Sequence, residues 1–293
     1  MTQIQIKQRP FISRPELFQD VPAFIAEILA RRGVASAQEL ELKLKHLLAP
    51  NMKGLNEAIQ LIDTAMDQHH KIVIVGDYDA DGATSTALMV LALREMGAQV
   101  EYLVPDRFKY GYGLTPAIAD LAFTTFTPDL LITVDNGISS HDGVKQAQDH
   151  GMQVIITDHH LTTKPTPNAE AVVNPNQLGC DFPSKALAGV GVAFYVLANL
   201  SSYRKKLNKS SAVMSQYLDL VALGTYADVA SLDYNNRILV DVGLKRIQQH
   251  LCRPGISALL EIAGREAASL KAQDLGFVLG PRTVSYTHLT LPT

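Results

Sequence analysis

The chain has 293 residues, of which 47 % are apolar, which is enough for one large domain or two modest ones with a sizeable core. Its charges nearly balance, at a formal net charge of −3, so it lacks the strong positive charge common in nucleic-acid-binding proteins, although a local basic strip remains compatible with this value. Two cysteines without a CxxC pattern indicate neither a disulfide framework nor a zinc knuckle.

The start of the sequence has no apolar core of the kind found in signal peptides, and no apolar run is long enough to cross a bilayer. Two unpatterned cysteines fit a reducing compartment. We therefore expect a soluble cytoplasmic protein that does not act at a membrane.

Residues 1–53 predict a helical N-terminal segment. In "PELFQDVPAFIAEILARRG" the apolar residues recur at helical spacing. In "SAQELELKLKHLLAP" charged and apolar residues alternate as in a strand, but Ser36 and Glu39 match a capping box and Glu39 with Lys43 is a favourable i,i+4 pair. We therefore predict a second helix in this stretch.

From residue 54 onward, amphipathic helical segments alternate with short, continuously apolar strands. Such strands are typical of βαβ units, in which helices cover both faces of a parallel sheet. We predict an α/β domain with a five-stranded-type parallel sheet over residues 54–235. The strands are "KIVIVG", "QVEYLV", "DLLITV", "QVIIT" and a short "AVV".

The later part of the chain predicts mainly helices, at 186–200, 211–223 and 237–250. The basic stretch "YRKKLNKS" is expected to be a solvated loop, and "DLGFVLGPR" a helix or loop. We expect 236–282 to form a helical connector toward a second domain that this chain lacks. The final "TVSYTHLTLPT", residues 283–293, has no helical periodicity, and we expect a non-native or disordered tail there.

Three of the predicted strands end in side chains that bind metals. Because the carboxyl ends of parallel strands meet at one edge of a sheet, these side chains are expected to converge. They are Asp77, Asp79 and Asp81 after the first strand, Asp135 after the third, and Asp158, His159 and His160 after the fourth.

Asp228 is a further candidate, because it is an acid in the largely apolar stretch "LDLVALGTYADVASL" and a buried acid requires a partner. Carboxylates with one or two imidazoles favour Mn²⁺ or Mg²⁺ over a structural zinc. Several acids with one bridging carboxylate indicate two ions. Such a pair can stabilise both the attacking and the leaving oxygen of an in-line displacement at phosphorus.

Each feature also has a simpler interpretation when it is taken alone. "DYDADG" fits the start of an EF-hand loop, but a strand precedes it and Leu88 stands where that loop needs a glutamate. Asp135 fits a turn residue before Gly137, "DHH" fits a capped loop with two surface histidines, and Asp228 fits a helix N-cap. Their joint occurrence is what favours a metal site.

The motifs "GDYDADGATSTA", "TVDNGISS", "ITDHH", "AVVNPNQ", "ALAGVGVAFYV" and "GTYADVASL" occur in this order. From about residue 20 to Arg282 the chain resembles the DHH phosphoesterase superfamily, and within it the exonucleases specific for single-stranded DNA. The resemblance implies a 5′ to 3′ exonuclease of DNA repair and recombination that uses two Mn²⁺ or Mg²⁺ ions. It also implies a monomer whose partners are single-stranded DNA, a single-strand-binding protein and a helicase.

The resemblance also implies roles for individual residues. Asp79 and Asp135 would bind one metal, with Asp77 as a further ligand, and Asp135 would bridge to the other. The second metal would be bound by Asp81, Asp135, His159 and Asp228. The catalytic residues would be Asp135, His160 at the substrate phosphate as donor or proton relay, and Arg282 of "GPR" at the scissile phosphate.

Further substrate contacts would come from Arg107 and Tyr112 in "PDRFKYGYGLT" and from Asn174 in "AVVNPNQ". Basic and aromatic side chains together can bind phosphates and stack on bases. A glycine-rich loop with surface tyrosines is the alternative for the first of these segments.

Two other functions remain open. The first is a small-nucleotide phosphodiesterase, oligoribonuclease or pyrophosphatase of the same superfamily; against a pyrophosphatase, Val75 stands where that branch carries a histidine ligand. The second is a non-catalytic scaffold, or an inactive fragment that has lost much of its DNA binding.

Overall fold

A parallel five-stranded sheet lies at the centre of the structure, a computed structural model that describes residues 21–283. The strands follow the order β2-β1-β3-β4-β5, and every neighbouring pair is parallel. The predicted α/β fold with a parallel sheet is therefore confirmed. The strands are β1 Lys71–Gly76, β2 Gln99–Leu103, β3 Leu130–Val134, β4 Gln153–Thr157 and β5 Ala171–Val173.

The described residues also form eleven α-helices and several shorter helical turns. A π-helical turn spans Leu275–Leu279, and a 3₁₀ turn follows it at Gly280–Arg282. The α-helices are α1 Ala23–Arg31, α2 Leu55–Asp67, α3 Ala80–Glu95, α4 Arg107–Tyr110, α5 Pro116–Phe126, α6 His141–Asp149, α7 Gly189–Lys206, α8 Leu218–Ala227, α9 Tyr234–Gln248, α10 Pro254–Ile262 and α11 Ala272–Asp274.

Helices cover both faces of the sheet, which explains why β1, β3, β4 and β5 are so apolar, whereas the edge strand β2 is mostly exposed. In β1, Ile72 and Ile74 face one side, in a cluster with residues of α2, α3 and α7. Val73 and Val75 face the other side, in a cluster with residues of α5 and α6. Each fully buried side chain of this size contributes about 1.5–3 kcal/mol to stability.

The strand order reverses between β1 and β3, and this reversal decides where the polar strand ends meet. From β1 the chain passes through α3 to β2 on one side, and then returns to place β3 on the other side. In open parallel sheets a crevice forms at the carboxyl ends of the strands where the order reverses, and ligands bind there. The residues that follow β1 and β3 line this crevice.

Helix α8 packs directly on the N-terminal half of α3, and Gly224 makes the close approach possible. A Cβ atom at Gly224 would lie 2.2 Å from Oγ1 of Thr84 and 3.1 Å from Oδ1 of Asp81. Any larger residue would therefore push α8 away. The contact brings Asp228, which follows the last residue of α8, next to the first turn of α3.

The helix predicted over residues 36–50 is wrong. Two short 3₁₀ turns, Ala37–Leu40 and Leu44–His46, form there instead, and Ser36 makes no side-chain cap. Glu39 pairs with Arg237 of α9 at 3.0 Å rather than with a lysine of its own segment. Packing against α9 has overridden the local helical preference.

The solvated loop predicted for "YRKKLNKS" is also wrong in part. Arg204 lies on α7 and is buried, with its guanidinium paired to Asp63 of α2. Lys209 completes the cluster, with Nζ at 2.7 Å from Asp63 and 2.5 Å from Asp67. These two cations join the end of α7 to α2.

The other helical segments follow the prediction with shifted ends. Residues 1–20 and 284–293, which include nearly all of the predicted tail, lie outside the described residues. The division of the chain at residues 53, 235 and 282 stays a prediction. Over the described part of the chain, no helix has both the length and the apolar composition that a membrane span requires.

We predict that Arg204→Ala lowers the free energy of unfolding by about 3 kcal/mol, because it leaves Asp63 buried without its closest cation. The remaining contact of Lys209 keeps the loss near the lower end of the range for a broken buried ion pair. Urea unfolding followed by circular dichroism measures the change. Lys206→Ala, an exposed cation on the same helix, is the control and should change stability by less than about 0.5 kcal/mol; equal effects of the two variants would contradict the interpretation.

Candidate metal centre

Asp77 and Asp79 leave β1 at the mouth of the crevice. One carboxylate oxygen of Asp77 accepts from the backbone N–H of Tyr78 at 2.9 Å, and the other lies 3.4 Å from the guanidinium of Arg107. Asp79 is the N-cap of α3, since its Oδ1 accepts from the N–H of Gly82 at 2.9 Å. Each aspartate therefore keeps carboxylate oxygen capacity for a further ligand.

Asp81 is held by the N-terminus of another helix. Its two carboxylate oxygens accept from the backbone N–H groups of Gly189 at 2.6 Å and Val190 at 2.9 Å, the first two residues of α7. Free N–H groups at a helix N-terminus stabilise a negative charge. Gly189 is required here, because a Cβ atom would lie 2.6 Å from the Cβ of Asp135.

Asp135 lies at the centre of the crevice, only 1 % exposed and with a left-handed backbone at φ +60°. Its Oδ1 atom has no hydrogen-bond partner, although Nε2 of His159 lies 3.1 Å away and also has none. A buried carboxylate oxygen and a buried imidazole nitrogen that face each other without a hydrogen bond are suited to sharing a cation.

Asp158 organises the two histidines that follow it. Its Oδ2 accepts from the N–H of Ile138 at 2.8 Å, and its Oδ1 accepts from the N–H groups of His159 at 2.7 Å and His160 at 3.1 Å. Nδ1 of His160 also donates to Oδ1 at 2.7 Å. The Nε2 atom of His160 then lies 3.2 Å from the hydroxyl of Tyr112.

The structure brings all six predicted metal ligands into overlapping groups. Within each group, one ligand atom per residue lies within 4.8 Å of the others. The groups are Asp77 with Asp79 and Asp135, Asp81 with His159 and Asp228, and Asp135 with His159 and His160.

Several acids lie close together in this crevice, and burial together with mutual repulsion raises the pKa values of Asp81, Asp135 and Asp228. Burial, followed by the charge of Asp228, raises the pKa of Asp81 to about 7. Burial and then Asp79 raise the pKa of Asp228 to about 6. Burial and then Asp81 raise the pKa of Asp135 well above its ordinary value, while burial lowers the pKa of His159.

The unsatisfied negative charge of this crevice fits divalent cations. The donor set is rich in carboxylate oxygens and contains at most two imidazoles, which suits Mn²⁺ or Mg²⁺ rather than a thiolate-bound zinc. A strand precedes Asp77, and Asp228 follows α8, so the EF-hand and N-cap alternatives do not describe the structure.

Asp158 behaves differently from the other acids. Burial alone would raise its pKa, but the hydrogen bond and charge of His160, with the backbone N–H donors, hold the pKa of Asp158 below its usual range. The same hydrogen bond raises the pKa of His160. Asp158 is therefore occupied with positioning the histidines and is not available as a ligand.

Arg107 and Tyr112, which the sequence predicts as substrate contacts, lie at the opening of the crevice; the contact with substrate itself stays a prediction. The guanidinium of Arg107 stacks on the ring of Tyr78, with 3.7 Å between its Cζ and the ring centroid, and lies 5.8 Å from the ring centroid of Tyr112. This arrangement presents a cation and aromatic surface beside Asp77 and His160.

Asn174 is placed differently from the prediction of a substrate contact. It is fully buried, with Nδ2 donating to the carbonyl of His160 at 3.0 Å and Oδ1 accepting from the N–H of Asn176 at 2.7 Å. Its side chain therefore holds the loop that carries the histidines and does not face the crevice opening.

Arg282 is exposed and is not in contact with the acid clusters. Its guanidinium donates to the carbonyl of Val278 at 2.7 Å. The same turn is nevertheless anchored beside the centre, because a Cβ atom at Gly280 would lie 3.3 Å from the Cβ of Ala227, the neighbour of Asp228.

Three residues shape the centre in roles that the sequence does not predict: Asp158 anchors the histidines, and Gly189 and Gly224 allow close packing. The pattern "GVGV" at the start of a helix could have indicated the second of these, because helix N-termini bind anions.

The model of the DHH family, N-terminal domain, matches residues 71–225, which is more than half of the chain and includes every strand and most of the acid clusters. The chain belongs to the DHH family.

Among curated relatives of this DHH chain, the single-stranded-DNA-specific exonuclease RecJ of Escherichia coli strain K12 is 49 % identical over 288 residues, covering 96 % of the chain and 50 % of the relative. The protein of the same name from Bacillus subtilis strain 168 is 38 % identical over 268 residues, covering 89 % of the chain and 33 % of the relative. The DHH chain thus spans half or less of the length of these relatives.

Two solved structures share the fold. The structure of RecJ in complex with Mn²⁺ from Thermus thermophilus gives a TM-score of 0.76 at 32 % identity, covering 93 % of the DHH chain and 39 % of that chain. A structure of exonuclease RecJ bound to manganese gives a TM-score of 0.70 at 38 % identity, covering 80 % of the DHH chain and 58 % of the chain in that structure.

We predict that, without metal, Asp228 makes the protein less stable as pH rises. Its folded pKa of about 6 lies above the ordinary value of 3.8, so the folded state binds more protons between these values. This stabilising contribution is complete below about pH 4 and is lost as pH rises through 6. Saturating Mg²⁺ should oppose the trend, because the cation binds the ionised carboxylate.

The measurement is urea unfolding from about pH 4 to 8 in EDTA and in Mg²⁺, for the wild type and Asp228→Asn. The variant should show a weaker loss of stability with rising pH in EDTA. Identical pH profiles for the two proteins would contradict the assignment of this acid to the crevice.

Proposed function

We propose that this chain carries the phosphoesterase core of a metal-dependent exonuclease that degrades single-stranded DNA. The observation that carries the proposal is that the group of Asp77, Asp79 and Asp135 adjoins the group of Asp81, His159 and Asp228, with Oδ1 of Asp135 lying 3.1 Å from Nε2 of His159, at the point where the strand order reverses. The two relatives described above are named as exonucleases of this substrate class, and the structures that share the fold hold manganese.

In this proposal two Mn²⁺ or Mg²⁺ ions bind in the crevice. Asp77, Asp79 and Asp135 would hold the first, and Asp81, His159 and Asp228 would hold the second together with Asp135. When bound, such a pair neutralises the acids, polarises the phosphate and lowers the pKa of water. The orphaned Oδ1 of Asp135 and Nε2 of His159 support this assignment.

The remaining side chains would act on the substrate. His160, which is fixed by Asp158 through Nδ1 and has its Nε2 directed toward Tyr112, would donate a proton to a phosphate oxygen. The planar guanidinium of Arg107 at the opening is suited to binding a phosphate. Arg282 also carries a guanidinium, and a movement of its exposed side chain would bring that group to the scissile phosphate.

The finer parts of the proposal rest on the family resemblance. They are a 5′ to 3′ direction, a role in DNA repair and recombination, action as a monomer, a cytoplasmic location, and a single-strand-binding protein and a helicase as partners. Asn174 would support the reaction indirectly, by holding the loop of His160.

The small-nucleotide and pyrophosphatase alternatives receive less support. Val75, at the position of a histidine ligand in pyrophosphatases, is buried in the apolar cluster that includes residues of α5 and α6. An aliphatic side chain offers no ligand atom, so this position of β1 would contribute nothing to a metal centre.

We predict that Asp135→Asn lowers hydrolysis of a single-stranded oligonucleotide by at least about a hundredfold, since it removes the charge shared by both groups. Asparagine keeps the size of the side chain and tolerates the left-handed backbone at this position. Chromatography of released nucleotides in Mn²⁺ measures the rate, and calorimetric titration with Mn²⁺ measures metal uptake, which should fall in parallel.

Asp142→Asn, an exposed acid in the first turn of α6, is the control and should leave both quantities unchanged. Near-normal uptake and hydrolysis by Asp135→Asn would overturn the two-metal centre. Strands labelled at the 5′ or 3′ end, dinucleotides and pyrophosphate should be compared as substrates; preference for either small substrate would overturn the exonuclease assignment.

A further inference from the structure

An apolar groove of about 260 Å³ lies at the end of α8, outside the acid clusters. Its volume is close to the lower end for ligand pockets in proteins, about 300 Å³. The residues that form most of its wall are Tyr226, Ala227, Val229, Ala230, Leu232 and Phe277. We propose that this groove binds the 5′-terminal base of the strand, which lies on the 5′ side of the phosphate at the metal centre, an inference that rests on the proposed function.

The groove and the metal centre share one turn of backbone. Asp228, which belongs to the second acid group, lies between Ala227 and Val229, which both line the groove. A nucleotide held at its phosphate near Asp228 therefore has the groove within reach of its base. This continuity distinguishes the groove from an isolated apolar depression.

Phe277 supplies the aromatic surface. It lies in the π-helical turn Leu275–Leu279 and is 81 % exposed. Glycine keeps this turn close to α8, because a Cβ atom at Gly276 would lie 2.9 Å from Cδ1 of Tyr226. Arg282 follows in the next turn, so one closely seated element presents both an aromatic ring and a guanidinium.

Val229 faces the groove in an uncommon conformation. It is a β-branched residue with φ +59° and is 86 % exposed. Left-handed backbone is unfavourable for such residues, and strain of this kind concentrates at ligand-binding and active sites. Here it turns an apolar side chain outward next to Asp228.

The chemistry of the wall identifies the class of ligand. An exposed ring among aliphatic side chains offers stacking, the hydroxyl of Tyr226 is the one polar side-chain group among the described residues of the wall, and every nucleobase has a face that can stack. The groove should therefore bind bases with little sequence preference, while the phosphate contacts and the metal centre supply most of the affinity.

The test uses a ten-nucleotide single strand with 2-aminopurine as its 5′-terminal base and a phosphorothioate at the first linkage, in Mg²⁺. Stacking on Phe277 should quench the fluorescence of the base when the strand binds. Phe277→Ala should abolish the quenching and weaken binding about tenfold, while Phe277→Tyr should restore both. Ile262→Ala, an exposed apolar residue of α10, is the control and should behave as the wild type.

A second strand with an abasic 5′-terminal nucleotide separates base contact from other effects. On this strand Phe277→Ala and the wild type should bind equally. Equal quenching by Phe277→Ala and the wild type would overturn the inference, as would an equal loss of binding on both strands or a change of oligomeric state in that variant alone.

Failure of the proposed function would look different from failure of this inference. If the wild type takes up Mn²⁺ and hydrolyses strands but Phe277→Ala is unaffected, only the groove assignment falls. If the wild type takes up no Mn²⁺, the proposed function is contradicted, and the groove assignment loses its basis with it.

Discussion

Repulsion among buried carboxylates is the constraint around which this structure is arranged. Asp81 and Asp135 are buried and Asp228 is half-buried in one crevice, and each has its pKa raised by burial and by its neighbours. Such an arrangement destabilises the protein unless positive charge is supplied. The fold supplies part of it from backbone N–H groups at the start of α7, and leaves the rest for cations.

The remaining architecture serves to hold these acids at fixed positions. The reversal of strand order opens the crevice, and two glycines allow helices to approach it: Gly189 places α7 against Asp135, and Gly224 places α8 against α3. Asp158 and Asn174 fix the loop that carries His159 and His160, through hydrogen bonds to the ring and the carbonyl of His160. A scaffold of this kind loses stability at the centre and recovers it from the two apolar clusters on the faces of the sheet.

The sequence predicts much of this because its strongest signals are local. Continuous apolar strands define a sheet buried on both faces, and polar residues at three strand ends define its functional edge. No local pattern reveals that the segment after Ser36 contacts α9 through Glu39, or that Arg204 pairs with Asp63 of α2. The sequence misleads at Asn174 for a similar reason, because a polar residue after a strand has the same local pattern whether it contacts a ligand or holds a loop.

The acids of the centre are far apart along the chain, since about 150 residues separate Asp77 from Asp228. At a translation rate of about 5–20 residues per second, the first aspartates leave the ribosome on the order of ten seconds before the last one. During that interval the nascent sheet carries only some of the acids of the metal centre, because Asp228 has not yet been synthesised. A ribosome-bound intermediate that lacks α8 should thus hold cations weakly, and tighter binding requires that α8 has been synthesised and has docked on α3.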